Sequence, residues 1–107
     1  NPGKRMKFDH VAVNVKDIRE SAKWYCEKLN ADALYVDDTW AFLQVNGAKI
    51  ALTLSSQHPA HICFSIDEDE KNKYFGDKVF KNHRDGSSSC YTRDLDGNFI
   101  EYLIWPK

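Results

Sequence analysis

The sequence contains little cysteine, proline or glycine, and it has no excess of positive charge. Its 107 residues include 3 cysteines, 3 prolines and 5 glycines, and 15 basic side chains are balanced by 16 acidic ones. The lack of a basic excess argues against a general binder of nucleic acid or of anionic membranes. No apolar run approaches the roughly 18 residues of a membrane span, and no signal-peptide pattern is present. These absences predict one small cytoplasmic domain.

The three cysteines exclude a disulfide scaffold from consideration. Cys26, Cys63 and Cys90 are odd in number, widely spaced and form no C-x-x-C pair, which favours a reducing compartment. Hydrophobic residues make up 42% of the chain and aromatic residues 13%, enough to fill a core or line a pocket. Residues 1–6 are interpreted as a tail before a single domain over 7–107.

The first half of the sequence predicts a strand, a helix and three more strands. Residues 8–15 alternate, with valines on one face, as in a half-buried strand. Asp17 and Glu20 have the spacing of a capping box, and a helix is expected over 18–29. Asn46-Gly47 is a strong hairpin signal. The remaining strands are predicted over 33–36, 40–45 and 48–54.

The same pattern restarts after a polar linker over residues 55–60. A strand is predicted over 61–66, a helix within 67–82, and strands over 89–92 and 98–105. A shift of 51 residues places His10 on His61, and a shift of 50 near the ends places Gly47 on Gly97. The two halves therefore form an internal repeat, with module one over 7–54 and module two over 61–105.

The repeat brings together residue types that bind metals. His10 and His61 occupy matching strand positions and are expected to converge, while Glu101 matches Ala51. Glu101 lies within the apolar strand Phe99–Trp105. A buried carboxylate is costly unless it is paired or bound to a metal, so these three residues are candidate ligands.

Four segments carry a recognisable pattern along nearly the whole chain. They are FDHVAVNVKD over residues 8–17, the stretch 21–29 with Trp24-Tyr25, HICFSI over 61–66, and RDLDGNFIE over 93–101. Together they resemble the vicinal oxygen chelate superfamily, also called the glyoxalase/bleomycin resistance/extradiol dioxygenase family. The resemblance implies an α+β fold of paired βαβββ modules that form a curved mixed sheet, and homodimers that often exchange modules.

The resemblance also implies a divalent-metal site. His10, His61 and Glu101 match positions that bind the metal in metal-dependent members, and such a ligand set suits Fe, Mn, Zn or Ni. Two departures stand out: Leu95 replaces the usual proline of the C-terminal signature, and Ala51 replaces the fourth, acidic ligand of glyoxalase I enzymes. The second departure favours the three-ligand members, such as extradiol dioxygenases and fosfomycin-modifying thiol transferases.

Strand parity nominates the side chains of a substrate pocket, because residues that alternate with the candidate ligands share their face. The pocket residues predicted in this way are Asn14, Lys49, Thr53, Cys63, Ser65 and Phe99, joined by Trp40, Phe42 and Gln44.

Two functional hypotheses follow. The first is a metal-dependent enzyme that acts on a compact substrate with vicinal oxygens, with Glu101 as a ligand and catalytic residue. Its reaction type stays open between lyase or isomerase, dioxygenase and thiol transferase. The alternative is a metal-free protein that sequesters an aromatic ligand, as bleomycin resistance members do. The expected partners are a small molecule and a second copy of the chain, with no nucleic acid or membrane.

Overall fold

The computed structural model describes residues 6–106 and divides into two compact units. Among the described residues, one unit comprises residues 10–61, and the other comprises residues 6–9 and 62–106. Of the predicted tail, all but Met6 lies outside the described residues, and the module boundaries predicted at 7–54 and 61–105 stay predictions. Neither helix in the described part of the chain is long and apolar enough to cross a bilayer.

The unit over residues 10–61 is a helix packed on a four-stranded mixed sheet. The elements are β1 (Lys7–Asn14), α1 (Ile18–Leu29), β2 (Asp32–Val36), β3 (Trp40–Val45) and β4 (Ala48–Thr53). The strands lie in the order β2-β3-β4-β1. The last strand, β4, pairs parallel with β1 and antiparallel with β3, and β3 pairs antiparallel with β2.

Helix α1 has the boundaries that the sequence predicts. The Asp17 carboxylate accepts a hydrogen bond from the Glu20 backbone N–H at 3.0 Å, which satisfies one of the donors left open at a helix start. Asn30 ends the helix in the left-handed conformation, with φ of 55°. Asparagine tolerates that conformation better than most residues, so the chain turns there into β2.

The core of this unit lies between α1 and one face of the sheet. Ile18, Leu43 and Leu52 are each 2% exposed or less. Val13 and Val15 pack against them, as the alternation of β1 predicts. Burial of the valine face leaves the other face of β1, with His10 and Asn14, to carry polar side chains.

The second unit repeats the order of elements of the first. Its strands lie in the order β5-β8-β7-β6, so the first and last strands are again neighbours. This confirms the predicted fold class, α+β with paired βαβββ modules. The elements are β5 (His61–Ser65), α2 (Glu68–Phe75), β6 (Lys81–Asn82), β7 (Ser88–Arg93) and β8 (Phe99–Ile104).

Helix α2 is shorter than the predicted span within 67–82. Its start is as expected, because Asp67 and Glu70 form a capping box. The helix ends at Phe75 because Gly76 adopts φ of 46°, outside the helical region. Beyond the helix, Val79 is 84% exposed while Phe80 is buried. The apolar spacing that predicted a helix as far as these two residues was therefore misleading.

The core of the second unit also forms on one face of its sheet. Ile66, Phe80, Cys90 and Ile104 are buried together. The ring of Tyr102 lies 4.6 Å from that of Phe75 on α2, which confirms that residues 100, 102 and 104 face the helix. Glu101 and Phe99 consequently face the other side of β8.

The completely buried Leu52 provides a test of this packing. We expect Leu52→Ala to lower the free energy of unfolding by about 2–5 kcal/mol, because it removes buried methyl groups and leaves a cavity. Leu95→Ala is the matched control, since Leu95 is fully exposed in the β7–β8 turn, and its effect should stay within about 0.5 kcal/mol. Urea unfolding measures both, and equal effects would contradict the described core.

Candidate metal and ligand site

The register of three strands places most predicted pocket residues of the first unit on one face of its sheet. Thr53 lies opposite both Asn14 and Trp40, Ala51 opposite Ala12 and Phe42, and Lys49 opposite Gln44. Thr53 and Ala51 of β4 therefore each lie between a residue of β1 and a residue of β3. Position 51, where glyoxalase I enzymes carry an acidic ligand, forms with Ala12 a floor of small side chains.

The two candidate histidine ligands of this unit lie side by side. The rings of His10 and His61 have centroids 5.5 Å apart and meet edge to face. One ligand nitrogen of each lies within 4.8 Å of the other. Two imidazole nitrogens that share one ion at bond lengths of about 2.1 Å lie roughly 3.4–4.2 Å apart, so this pair needs at most a small adjustment to bind one ion.

The hydrogen bonding of His61 determines which nitrogen is available as a ligand. Its Nδ1 lies 2.7 Å from the carbonyl oxygen of Pro59. A carbonyl only accepts, so in neutral His61 Nδ1 carries the proton and Nε2 carries the lone pair. A ring nitrogen that donates to a backbone carbonyl while the other faces the ion is the usual second contact of a metal-bound histidine. The donor set of this unit therefore fits a divalent metal.

Asn14 and Thr53 form a polar pair at the end of this face. The Asn14 amide donates to the Thr53 hydroxyl and to the His58 carbonyl, both at 2.9 Å. Thr53 is buried, and its hydroxyl lies 3.4 Å from the Val13 carbonyl. These contacts hold the Asn14 side chain against the sheet, although the residue itself is exposed.

Aromatic rings follow one another across the same face. The ring of Trp40 is stacked on Tyr35 at 5.0 Å and tilted against Phe42 at 5.8 Å. Phe42 meets His10 edge to face, also at 5.8 Å. We call these four residues the aromatic row. Sequence reasoning missed Tyr35, whose pairing with Phe42 follows a register shift in β2.

Lys49 adds a cation to this face. Its Nζ lies 5.9 Å from the centroid of the Phe42 ring, within the range of a weak cation–π contact. Lys49 and Gln44 are both half-buried.

In the second unit, Glu101 lies between two groups of neighbouring strands. It is 9% exposed, on β8, and Tyr91 lies directly opposite on β7. On the other side, the buried Cys63 lies on the neighbouring strand β5. We call Cys63, Glu101 and Tyr91 the carboxylate row. Tyr91 was not among the pocket residues predicted from the sequence, because its place beside Glu101 follows from the pairing of β7 with β8.

Burial and the negative charge of Glu101 both raise the pKa values of Cys63 and Tyr91. Burial raises the pKa of the Cys63 thiol well above its usual range, and the negative charge of Glu101 raises it further. The pKa of Tyr91 is raised by burial first and by Glu101 second. Each group is therefore a neutral donor at physiological pH.

The two remaining predicted pocket residues have different surroundings. Phe99 packs edge to face on Tyr91 at 6.0 Å, and the Arg93 guanidinium lies 4.6 Å from its ring centroid. It thus extends the face of the carboxylate row. Ser65 instead lines an open cavity of about 730 Å³, together with Lys7, Asn82, Trp105 and Pro106.

Comparison with known proteins identifies the family. The profile of the Glyoxalase/Bleomycin resistance protein/Dioxygenase superfamily matches residues 7–102. The chain belongs to the glyoxalase/bleomycin resistance/dioxygenase superfamily. The resemblance seen in the sequence is thereby confirmed over nearly its full extent.

One curated relative and two solved structures show how far the likeness extends. A metallothiol transferase FosB of Lysinibacillus sphaericus is 28% identical over 114 residues, covering 89% of this chain and 79% of the relative. A hypothetical protein from Bacillus halodurans has a TM-score of 0.76, 18% identity and 97% coverage of both chains. A methylmalonyl-CoA epimerase from Mycobacterium tuberculosis has a TM-score of 0.66, 17% identity and coverage of 94% and 89%. At these identities the two structures establish the fold alone.

The three free thiols offer a check of the described burial. Cys63 and Cys90 are buried and Cys26 is half-buried. Since burial raises the pKa of both Cys63 and Cys90, we expect little thiolate at either site as the pH rises through ~8.5, the pKa of a free cysteine. Cys26 should therefore be alkylated by iodoacetamide well before the other two.

Peptide mapping by mass spectrometry measures each site separately. Denaturant should abolish the difference between the three cysteines. Equal labelling of Cys63 and Cys26 in the folded protein would contradict the buried thiol.

Proposed function

We propose that the protein is a small metal-dependent enzyme that acts on a compact substrate with vicinal oxygens. In this proposal His10, His61 and Glu101 hold a divalent ion such as Fe, Mn, Zn or Ni. The observation that carries it is the histidine pair, whose ligand nitrogens lie within 4.8 Å of each other. The fixed orientation of the His61 ring on the Pro59 carbonyl supports the same assignment.

Glu101 is the proposed third ligand and catalytic residue. In its own unit it is a nearly buried carboxylate on a central strand. In the repeat it matches position 51, whose side chain lies on the face of the histidine pair. The family match and the metallothiol transferase relative point in the same direction.

The proposed roles of the other side chains follow from their chemistry. A bound divalent ion would supply a Lewis acid for a substrate oxygen, with positions left open by a three-residue ligand set. Lys49 would attract an anionic group, and the aromatic row would cover the apolar part of the substrate. Asn14 would accept a hydrogen bond through Oδ1 at the far end of the face, because its amide hydrogens are donated to Thr53 and His58. Among the three reaction types, transfer of a thiol is the one that the relative favours.

Metal binding is the direct test of this proposal. We expect the wild-type protein to bind about one equivalent of Mn²⁺, Fe²⁺, Zn²⁺ or Ni²⁺ after reconstitution. At a free concentration 100 times the Kd, binding should stabilise the fold by about 2.7 kcal/mol. His10→Ala, His61→Ala and Glu101→Gln should each lose both effects, because each removes one ligand. Elemental analysis and thermal unfolding measure them.

Two matched variants control for general damage. His58→Ala and Glu27→Gln remove an exposed imidazole and an exposed carboxylate outside the proposed site, and both should bind metal like the wild type. A wild-type protein that binds none of the four ions would contradict the proposal, as would a Glu101→Gln protein that binds them unchanged. The predicted homodimer is tested independently, by measuring the mass of the protein in solution with light scattering.

The second candidate function is metal-free binding of an aromatic ligand, and the aromatic row favours it. Tyr35 is 46% exposed and Trp40 39% exposed although their rings are stacked. Exposed aromatic rings on a sheet face suit a flat apolar ligand, since stacking contributes about 0.5–1.5 kcal/mol per pair beyond burial.

Fluorescence distinguishes this candidate from the enzyme. If the protein is a metal-free binder, a naphthalene-sulfonate dye should bind in excess chelator and quench tryptophan emission. Trp40→Ala should abolish the quenching and Trp24→Ala should not, because Trp24 lies on helix α1 outside the row. Quenching that needs added metal, or that survives Trp40→Ala, would argue against a metal-free binder.

A further inference from the structure

We propose that the open cavity of the second unit binds a small zwitterion, namely an amino acid or a dipeptide with a large apolar side chain. Its volume of about 730 Å³ falls within the range of about 300–1,000 Å³ that small-molecule sites occupy. The cavity is lined by residues 65–68 and 104–106 together with Lys7, Asn82, Gly86 and Ser88, and we call it the helix-side cavity. It has no part in the proposed function.

The helix-side cavity lies where the sheet of the second unit meets the start of α2. Ser88 and Ile104 are directly paired on β7 and β8, and Ile104 belongs to the cluster buried on the helix side of the sheet. Glu101 points to the opposite face of β8. A ligand in the cavity would therefore not compete with a group bound at Glu101.

Part of the lining is apolar. Ile66 and Ile104 are 7% and 9% exposed, and Trp105 and Pro106 follow directly in the chain. The Trp105 ring is fixed by a hydrogen bond from its Nε1 to the Asp9 carboxylate at 2.9 Å, while 49% of the residue stays exposed. A fixed and half-exposed indole is a suitable surface for an aromatic or aliphatic group of a ligand.

Gly86 fixes the position of the wall beyond Trp105. It adopts φ of 89°, and a Cβ at this position would lie 3.3 Å from the Cβ of Pro106. The backbone reaches this close approach because glycine has no side chain. Residues 105 and 106 are thus held by Asp9 on one side and by Gly86 on the other, so the apolar wall is formed before a ligand binds.

The polar part of the lining carries charges of both signs. Lys7 supplies an ammonium group, and Asp67 and Glu68 supply carboxylates. The Asp67 carboxylate caps α2 by accepting a hydrogen bond from the Glu70 backbone N–H at 2.8 Å, whereas Glu68 is exposed. Glu68 is therefore the carboxylate that the cavity offers to a cationic group.

These charges determine the class of ligand. A purely anionic ligand would meet the three acidic residues in the first turn of α2, which offset the attraction of the helix start. A purely cationic ligand would meet Lys7. A zwitterion satisfies both, with its carboxylate at Lys7, its ammonium group at Glu68 and its side chain against Trp105. The termini of a dipeptide carry the same two charges as an amino acid.

The neutral side chains of the lining add hydrogen-bonding groups. Ser65 and Ser88 each have a hydroxyl that can donate or accept, and the Asn82 amide can do both. A few polar groups on an apolar wall are the usual composition of a small-molecule site, where they orient the ligand. These three residues would fix the ligand between the two charged side chains.

The indole N–H resonances of ¹⁵N-labelled protein show where a ligand binds. The chain has three tryptophans, Trp24, Trp40 and Trp105, and Trp105→Phe assigns the resonance of the cavity. At neutral pH we expect L-phenylalanine to shift the Trp105 resonance and to leave the other two in place. Binding needs no metal, so the result is independent of the proposed function.

Two analogues of L-phenylalanine test the need for both charges. Phenethylamine lacks the carboxylate and 3-phenylpropionate lacks the ammonium group. We expect each to bind about 5-fold more weakly, which is the upper contribution of one exposed ion pair. Lys7→Gln should remove the preference for L-phenylalanine over phenethylamine. Glu68→Gln should remove the preference over 3-phenylpropionate.

Lys28→Gln and Glu27→Gln are the matched controls, because both residues are exposed on α1. Each control variant should keep both preferences. Titration with L-phenylalanyl-glycine distinguishes the two sources of the zwitterion, since tighter binding than L-phenylalanine favours a peptide and weaker binding favours an amino acid.

Three results would overturn the proposal. The first is a Trp105 resonance that neither L-phenylalanine nor the dipeptide shifts at millimolar concentration. The second is binding of either singly charged analogue as tightly as L-phenylalanine. The third is a preference that persists in Lys7→Gln and Glu68→Gln. A shift of the Trp40 resonance alone would place the ligand on the aromatic row instead.

Discussion

Parallel pairing of the first and last strands determines which side chains of the first unit share a face. Because β4 pairs with β1 in parallel and with β3 in antiparallel, the alternation of three strands is locked into one register. One face buries valine and leucine side chains against α1. The other collects His10, Asn14, Lys49, Thr53 and the rings of Trp40 and Phe42. A slip of one residue would exchange the two faces and destroy core and site together.

Burial of polar groups is the second constraint, and the protein meets it with hydrogen-bond partners close by in the chain. Nδ1 of His61 is satisfied by the Pro59 carbonyl only two residues away. Glu101 is flanked by Tyr91, which lies opposite it on β7, and by the neighbouring strand β5, which carries the buried Cys63. Preorganisation of this kind keeps side chains in place before a ligand arrives, so less ordering remains to oppose binding.

The sequence allowed much of this to be predicted because its patterns are local. Alternation identified the valine face of β1, and Asp17 and Asn30 marked both ends of α1. Helix α2 was drawn too long because the spacing of Val79 and Phe80 imitates a helix, while the conformation of Gly76 overrides it. Tyr35 and Tyr91 were missed as members of the two rows. Their positions depend on strand pairing, and in β2 on a register shift, neither of which leaves a local signature.

The Asn46-Gly47 turn has a consequence for how this fold can change in evolution. Both residues adopt positive φ, 47° and 91°, the geometry of a two-residue hairpin whose twist matches its strands. A single inserted residue there would leave Ala48 in place and turn Phe42 and Gln44 toward the helix. Variation in length is therefore confined to connections such as residues 55–60, where the chain can grow without disturbing strand register. New specificity would be expected to arise from that loop, while the hairpin stays fixed in length.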